Sequence, residues 1–298
     1  MRTTLIASTL LLATLWAAPA HAERASLAVL PARWGKGADA RWRRDLDLDG
    51  LTRSLLQALT KTQKFDLVER TKLNRVLEEQ KLTDLGLTDP KRSIQAGKLI
   101  GADFLLLAQV SSWELVGSVK QVPISNTWLH ERELRLVVDL RIVAAETGKV
   151  VLAERVEEDL AWRQQAKVQL PLLIESRHKD LLVEQGVASI LAKVLEAFPM
   201  KVMLAKADGT VFVNHGAGTG IEPGHVYDVW KRGEALVDPD TGEVLGHDET
   251  RIGRIEITKV EKRFSRAKLL EGRVDKGAVC KRLSGDPKEW PPVERGGQ

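Results

Sequence analysis

The chain has 298 residues, of which 43% are hydrophobic and 29% charged, a composition typical of a globular protein with one large or two smaller domains. Lys and Arg number 45 against 41 Asp and Glu, and the densest basic cluster, at residues 41–44, is followed at once by three aspartates. This interleaving argues against a nucleic-acid interface, which requires a concentrated basic face.

The N-terminus has the pattern of a secretory signal. Arg2 precedes an apolar run at residues 5–16, and Ala20-His21-Ala22 has the form of a cleavage site. The run is shorter than the roughly 20 residues of a membrane span, although an uncleaved anchor stays open. We therefore expect a signal peptide over residues 1–22 and an exported, soluble periplasmic protein that reaches the outer membrane only peripherally or through partners. No lipid-attachment cysteine follows the signal, since the single cysteine is Cys280.

Apolar periodicity predicts alternating strands and helices up to residue 199. Continuous apolar runs predict buried strands, leucines at helical spacing predict helices, and a period of two at 134–142 predicts a half-buried strand. In chain order, the predicted elements are a strand at 25–31, a helix at 50–61, a strand at 65–68, helices near 73–77 and 93–100, strands at 104–110, 134–142 and 150–156, and a helix at 180–197. This order predicts an α/β (α+β) domain over residues 23–199, with a mixed sheet flanked by helices.

The composition changes after Pro199. Short β-prone runs alternate with Gly, Asp and Pro turns, and no helical period is present. This pattern predicts a small all-β domain, a barrel or a sandwich, over residues 200–284. The Pro- and Gly-containing tail at 285–298 is predicted to be disordered.

Three glycines at 216, 218 and 220 follow an apolar run in the stretch VNHGAGTG, as in some nucleotide-binding loops. A phosphate site of that kind needs a helix directly after the glycines, and a P-loop also needs a Gly-Lys-Ser/Thr ending. Here a Pro-Gly turn and a strand-like run follow instead. We therefore predict a turn between two strands, with His215 at its tip either solvated or in contact with a partner.

No other motif indicates catalysis or a bound ion. Asp45, Asp47 and Asp49 resemble the first half of a calcium loop, but Leu56 stands where the bidentate carboxylate belongs, so we expect an acidic first helical turn with Asp49 as its cap. The histidines and Cys280 lack the spacing of a zinc site. The sequence thus predicts a protein without cofactor, metal or enzymatic activity, with an exported hydrolase as a remaining alternative.

Tryptophan is abundant, with eight residues against five Phe and one Tyr. Trp34, Trp42, Trp113 and Trp128 lie in or beside polar stretches. Because tryptophan is enriched at the energetic centres of protein interfaces, these four are candidate partner-binding residues. The alternative is that they cap the edges of the core.

Two stretches resemble the CsgG-type family of curli secretion channels and related envelope assembly factors. They are TQKFDLVERTKLNRVLEEQKL at 62–82 and QAGKLIGADFLLLAQVSSW at 95–113, and the antiparallel pair at 136–156 fits the same fold. The β-rich end is similar to the C-terminal module of the flagellar assembly protein FlgT. The resemblance implies an accessory or scaffold that assembles or secretes a surface structure, curli-like or flagellar/holdfast-like, through contacts with envelope proteins or a homo-oligomer.

The resemblance also implies an alternative function, the subunit of an oligomeric outer-membrane secretion channel. Such a channel inserts two amphipathic hairpins per subunit, and each spanning strand needs about 9–11 alternating residues. The corresponding regions here are 115–133 and 160–181. Charged residues, glutamines and prolines interrupt both regions, so we do not expect either to supply two alternating strands of that length.

Overall fold

A computed structural model describes residues 24–35, 38–39, 41–68, 98, 100–240, 242 and 244–283. The predicted signal peptide, the predicted helix near 73–77 with most of the one at 93–100, and the predicted disordered tail lie outside these residues. The predicted domain limits stay predictions.

The first part of the chain forms a mixed sheet with two described α-helices. Its strands are β1 (Ser26–Val29), β2 (Arg33–Trp34), β3 (Asp66–Leu67), β4 (Phe104–Val122), β5 (Thr127–Ala144) and β6 (Val150–Ala166). The sheet order is β3-β1-β4-β5-β6, with β2 paired to β4; β1 is parallel to β3 and β4, whereas β4, β5 and β6 are antiparallel. The predicted mixed sheet is therefore confirmed.

Helices α1 (Leu48–Thr62) and α2 (Ser176–Ala197) pack on one face of this sheet. Leu51, Leu55 and Leu59 recur at helical spacing and are each at most 3% exposed, as the periodicity predicted. Helix α2 approaches β5 closely, since a Cβ on Gly186 would lie 2.7 Å from Cδ2 of Leu136. The helix cap was predicted two residues too late: Asp47 is the N-cap of α1, and Asp49 lies in its first turn.

The three long strands extend well past the predicted ones. Pairing continues without interruption from Leu115 opposite Leu134 to Val122 opposite Thr127, and β6 follows β5 to Trp128 opposite Ala166. We call the paired residues 115–122, 127–134 and 160–166 the distal sheet. Sequence periodicity missed it because most side chains at 116–122 are exposed, and a strand without a buried face has no apolar alternation.

The second part of the chain is a β-domain of six antiparallel strands. They are β7 (Met200–Ala205), β8 (Thr210–Val213), β9 (Val226–Val237), β10 (Val244–Val260), β11 (Ser265–Gly272) and β12 (Val279–Arg282). They pair in the order β10-β11-β8-β7-β12-β9, and β9 also pairs with β10, so the ladder returns to its first strand. The prediction of an all-β architecture is confirmed.

The glycine stretch 213–220 joins β8 to the segment before β9, so the prediction of a turn between strands is confirmed. The loop also packs against the end of α1: Gly218 has φ +82°, and a Cβ there would lie 2.4 Å from the carbonyl oxygen of Lys61. Only glycine combines this left-handed backbone with so close an approach. The loop therefore holds the β-domain against the first part of the chain.

Candidate functional site

The four candidate tryptophans do not converge on one surface. Trp113 is completely buried in the core, so the prediction that it contacts a partner is wrong for this conformation. It was misassigned because its polar neighbours in β4 point to the other side of the strand. Trp34 and Trp42 are half-buried and pack against the same core, and the guanidinium of Arg43 lies 5.7 Å from the ring centre of Trp34.

Trp128 is the one candidate on the distal sheet. It is half-buried at the start of β5, opposite Gln121 and Ala166. The turn that precedes it carries Ile124, whose side chain is fully exposed. Partner binding by Trp34, Trp42 and Trp128 stays a prediction.

A segment that follows β6 covers the inner face of the distal sheet. The Leu170 N–H donates to Nε2 of His130 at 3.3 Å, and Nη2 of Arg132 donates to the carbonyl of Pro171 at 2.8 Å. Leu172 lies so close to Gly117 that a Cβ on the glycine would be 2.9 Å from its Cδ1. We call residues 167–175 the cover segment. It buries His130 and Arg132, which the sequence alone does not distinguish from exposed polar residues.

An aromatic stack fixes the start of α2 to the end of β6. The rings of Trp162 and His178 lie 4.0 Å apart with an interplanar angle of 19°. Burial lowers the pKa of His178, and the positive charge of Arg177 lowers it further. The neutral imidazole is thus the form that the stack favours.

The outer face of the distal sheet is a shallow concavity of about 690 Å³ whose side chains include Val116, Ser118, Glu131, Ala161 and Arg163. Glu131 of β5 pairs with Arg163 of β6 at 3.0 Å and with Lys120 of β4 at 3.1 Å. Lys120, which also donates a hydrogen bond to this carboxylate, lowers the pKa of Glu131. These exposed ion pairs join neighbouring strands but are individually weak.

Apolar side chains are exposed around the distal end of the same sheet. Ile124 at the turn is fully exposed, and Val168 and Leu173 of the cover segment are 62% and 59% exposed. Exposed apolar groups of this kind, rimmed by polar residues, are typical of protein-binding surfaces. The distal sheet with its cover segment is therefore our candidate functional site.

The other residues singled out in the sequence have structural environments. Cys280 is buried, and burial raises the pKa of its thiol to about 12, which leaves the nucleophilic thiolate scarce. His215, predicted to be solvated or in contact with a partner, is instead buried at the contact between the two parts of the chain. Its Nε2 lies 3.3 Å from the carbonyl oxygen of Phe198.

Asp45, Asp47 and Asp49 do not come together as a cluster in the part of the chain that the structure describes. No three His, Cys, Asp or Glu side chains converge there as metal ligands would. Asp47 pairs instead with Arg53 at 2.9 Å. Within the same residues, no helix has the length and apolar character needed to cross a lipid bilayer.

Residues 47–171 match the model of the family described as curli production assembly/transport component CsgG. This part of the chain is similar to the CsgG family. The match begins at the N-cap of α1 and ends inside the cover segment, so it contains the whole distal sheet. The predicted family is confirmed for these residues, whereas the likeness of the β-domain to the FlgT module stays a prediction.

Individual relatives are distant. An uncharacterized protein of Aquifex aeolicus (strain VF5) is 29% identical over 85 residues, which are 28% of this chain and 17% of that protein. The chain thus matches less than a fifth of the length of this relative. The lipoprotein GNA1162 of Neisseria meningitidis is 14% identical, with 58% of this chain and 99% of that one covered, at a TM-score of 0.31.

The LpoB C-terminal domain of Escherichia coli is 17% identical over 45% of this chain and 82% of that one, with a TM-score of 0.30. At such TM-scores neither likeness carries an argument about what this chain does. The family match is the finding on which a functional proposal can rest.

Proposed function

We propose that the chain is a non-enzymatic accessory or scaffold protein of the bacterial cell envelope. In this proposal it is exported to the periplasm and supports the assembly or secretion of a surface structure, curli-like or flagellar/holdfast-like, through protein–protein contacts. The observation that carries the proposal is the match of residues 47–171 to the CsgG family, whose description names assembly and transport.

The distal sheet supplies the surface for such contacts. It extends beyond the core, and its turn presents Ile124 with no covering group. Strand β6 pairs only with β5 among the described strands, so its outer edge offers backbone donors and acceptors along 17 residues. An open edge of this length can pair with a strand of another protein or of a second copy.

Site-specific photo-crosslinking in the intact envelope tests this proposal. A photoreactive residue at position 124 is expected to crosslink to an envelope protein or to a second copy of the chain. The matched control is position 245, where Leu245 is likewise a strongly exposed aliphatic residue, 69% exposed, but lies in the β-domain. Equal labelling from both positions, or none from either, would contradict a docking role of the distal sheet.

The secretion-channel alternative is tested by fractionation. Residues 115–133 do form one hairpin in the structure, but residues 160–181 run from the end of β6 through the cover segment into α2. A chain recovered only in the soluble periplasmic extract is expected. Recovery in the outer membrane after an alkaline wash would favour the channel over the scaffold.

A further inference from the structure

A second cleft, separate from the distal sheet, lies where the two parts of the chain meet. It has a volume of about 900 Å³ and lies between the end of α1, the end of α2, the start of β7 and the β10–β11 turn. We call it the basic cleft and define it by six of its cationic and aromatic side chains: Lys64, Phe65, Phe198, Lys201, Lys262 and Arg263.

Four of the cations that line the basic cleft lack counter-ions within the described part of the chain. No carboxylate there lies within 4.0 Å of the charged groups of Lys64, Lys201, Lys262 or Arg263. Among the described residues, the carboxylate that lines the cleft is that of Glu261, which is already held by Lys259 at 2.8 Å and by Arg266 at 3.9 Å.

Lys64 bears the greatest electrostatic cost. Burial, reinforced by the positive charge of Lys201, lowers its pKa to about 8. A half-buried cation beside another cation is unfavourable unless an anion joins them. The arrangement therefore provides a place where negative charge is stabilised.

Aromatic rings form the apolar part of the same cleft. Phe198 meets Phe65 edge-to-face at a centroid distance of 4.9 Å and Phe104 at 5.0 Å. Met203, which is 47% exposed, adds a flexible apolar surface beside them. A ligand that fits must therefore present negative charge and an apolar group side by side.

We propose that the basic cleft binds a short acidic segment of a partner protein in which Asp or Glu alternates with aromatic or aliphatic residues. Carboxylates of the segment accept hydrogen bonds from Nζ of Lys64 and Lys201, and its apolar side chains pack on Phe198 and Met203. The volume is that of a pocket for a few residues rather than for a folded domain. Binding here does not require the distal sheet, so the two sites can be tested independently.

Proton uptake is a signature of this binding mode. The charged and titratable groups that face Lys64 are Lys201 and His215, while Arg24 and Glu261 on the cleft wall are held in ion pairs of their own. A bound carboxylate raises the pKa of Lys64 toward its ordinary value. The complex therefore takes up a proton near pH 8, and its affinity falls as the pH rises from 7 to 9.

The test uses the full chain and a short fluorescein-labelled peptide of alternating Glu and Phe, with binding measured by fluorescence anisotropy. Peptides of alternating Gln and Phe, or Glu and Ser, are expected to bind at least about tenfold more weakly, because each lacks half of the required chemistry. K64Q is expected to lose about tenfold in affinity and to abolish the dependence on pH between 7 and 9.

K206Q is the matched control, since Lys206 is an exposed lysine just after β7 whose ammonium lies over Phe212, outside the cleft. It is expected to bind the peptide like the wild type. Circular dichroism verifies that each variant is folded. The proposal is overturned if K64Q and K206Q weaken binding equally, if K64Q keeps the pH dependence, or if vesicles of anionic phosphatidylglycerol bind the chain while the Glu-Phe peptide does not.

Discussion

His215 makes the contact between the two parts of the chain sensitive to acid. Its ring is buried, and its Nε2 lies 3.3 Å from the carbonyl oxygen of Phe198. The hydroxyl of Ser265 donates a hydrogen bond to the backbone carbonyl of His215 at 2.8 Å. Burial, reinforced by the positive charge of Lys64, lowers the pKa of His215 to about 4. The folded chain thus favours the neutral imidazole.

The sign and size of the effect on stability follow from proton linkage. Because the pKa of His215 is lower in the folded state than the ordinary value of 6.5, the unfolded chain binds more protons between pH 6.5 and pH 4. The contribution of the neutral His215 ring to the free energy of unfolding is fully present above pH 6.5 and decreases as the pH falls toward 4. At pH 5 the loss is about 2 kcal/mol of the free energy of unfolding.

Replacing His215 by Gln tests this reasoning, since the Gln amide can still donate to the carbonyl of Phe198 but does not titrate. Urea denaturation followed by circular dichroism is carried out at several pH values from 7.5 to 5. At pH 7.5 the variant is expected to be less stable by roughly 1 kcal/mol, because its hydrogen bond is less well placed. On acidification the difference should move by about 2 kcal/mol in favour of the variant.

His225 provides the matched control, because it lies in the same connection between β8 and β9 but pairs with Glu222 at 3.6 Å. The H225Q variant retains His215 and should lose stability with falling pH as the wild type does. The reasoning is refuted if the stability curves of H215Q and the wild type remain parallel from pH 7.5 to pH 5.

Three further predictions concern packing. Gly218→Ala should lower the free energy of unfolding by about 3 kcal/mol or more, because its Cβ would lie 2.4 Å from the Lys61 carbonyl oxygen. Gly220→Ala, with φ +75° and no atom within 4 Å, should lower it by only about 1–2 kcal/mol, and thermal denaturation of both variants measures the difference. Trp113→Ala should cost about 3–5 kcal/mol in urea denaturation because the indole is fully buried, and a loss below about 1 kcal/mol would contradict its core position. The Cys280 thiol should resist a thiol-specific disulfide reagent at pH 8 until the chain is denatured, and rapid native labelling would show that it is not buried.

The sequence predicted elements well where one side of an element is buried and the other is not. Leucines of α1 and the alternating residues of β5 form the core, and their spacing alone located both elements. The predicted ends of α2 lie close to the observed ones for the same reason, since Leu182, Ile190 and Val194 are all fully buried. In these elements hydrophobic burial contributes most of the stabilisation, and it leaves a period in the sequence.

The distal sheet could not be predicted by the same argument. Its strands are stabilised by the backbone ladder and by cross-strand pairs such as Glu131 with Arg163 at 3.0 Å. Such pairs join residues of different strands that are far apart in the sequence, so no local window contains both partners. The burial of Trp113 has the same origin, because residue type alone does not report which side of a strand is covered.

The basic cleft shows the same limit for a candidate site. Its cations come from the end of α1, the start of β7 and the β10–β11 turn, and their only common property is their position in space. The glycine stretch at 213–220 is the feature that brings them together, because the absence of a Cβ at Gly218 lets the loop reach the end of α1 just before Lys64 begins to line the cleft. A larger residue at 218 must move the β-domain away from α1, and it would separate Lys64 from Lys201. Gly218 therefore allows the two parts of the chain to approach each other closely, and that approach explains the sequence pattern first typical of a phosphate loop.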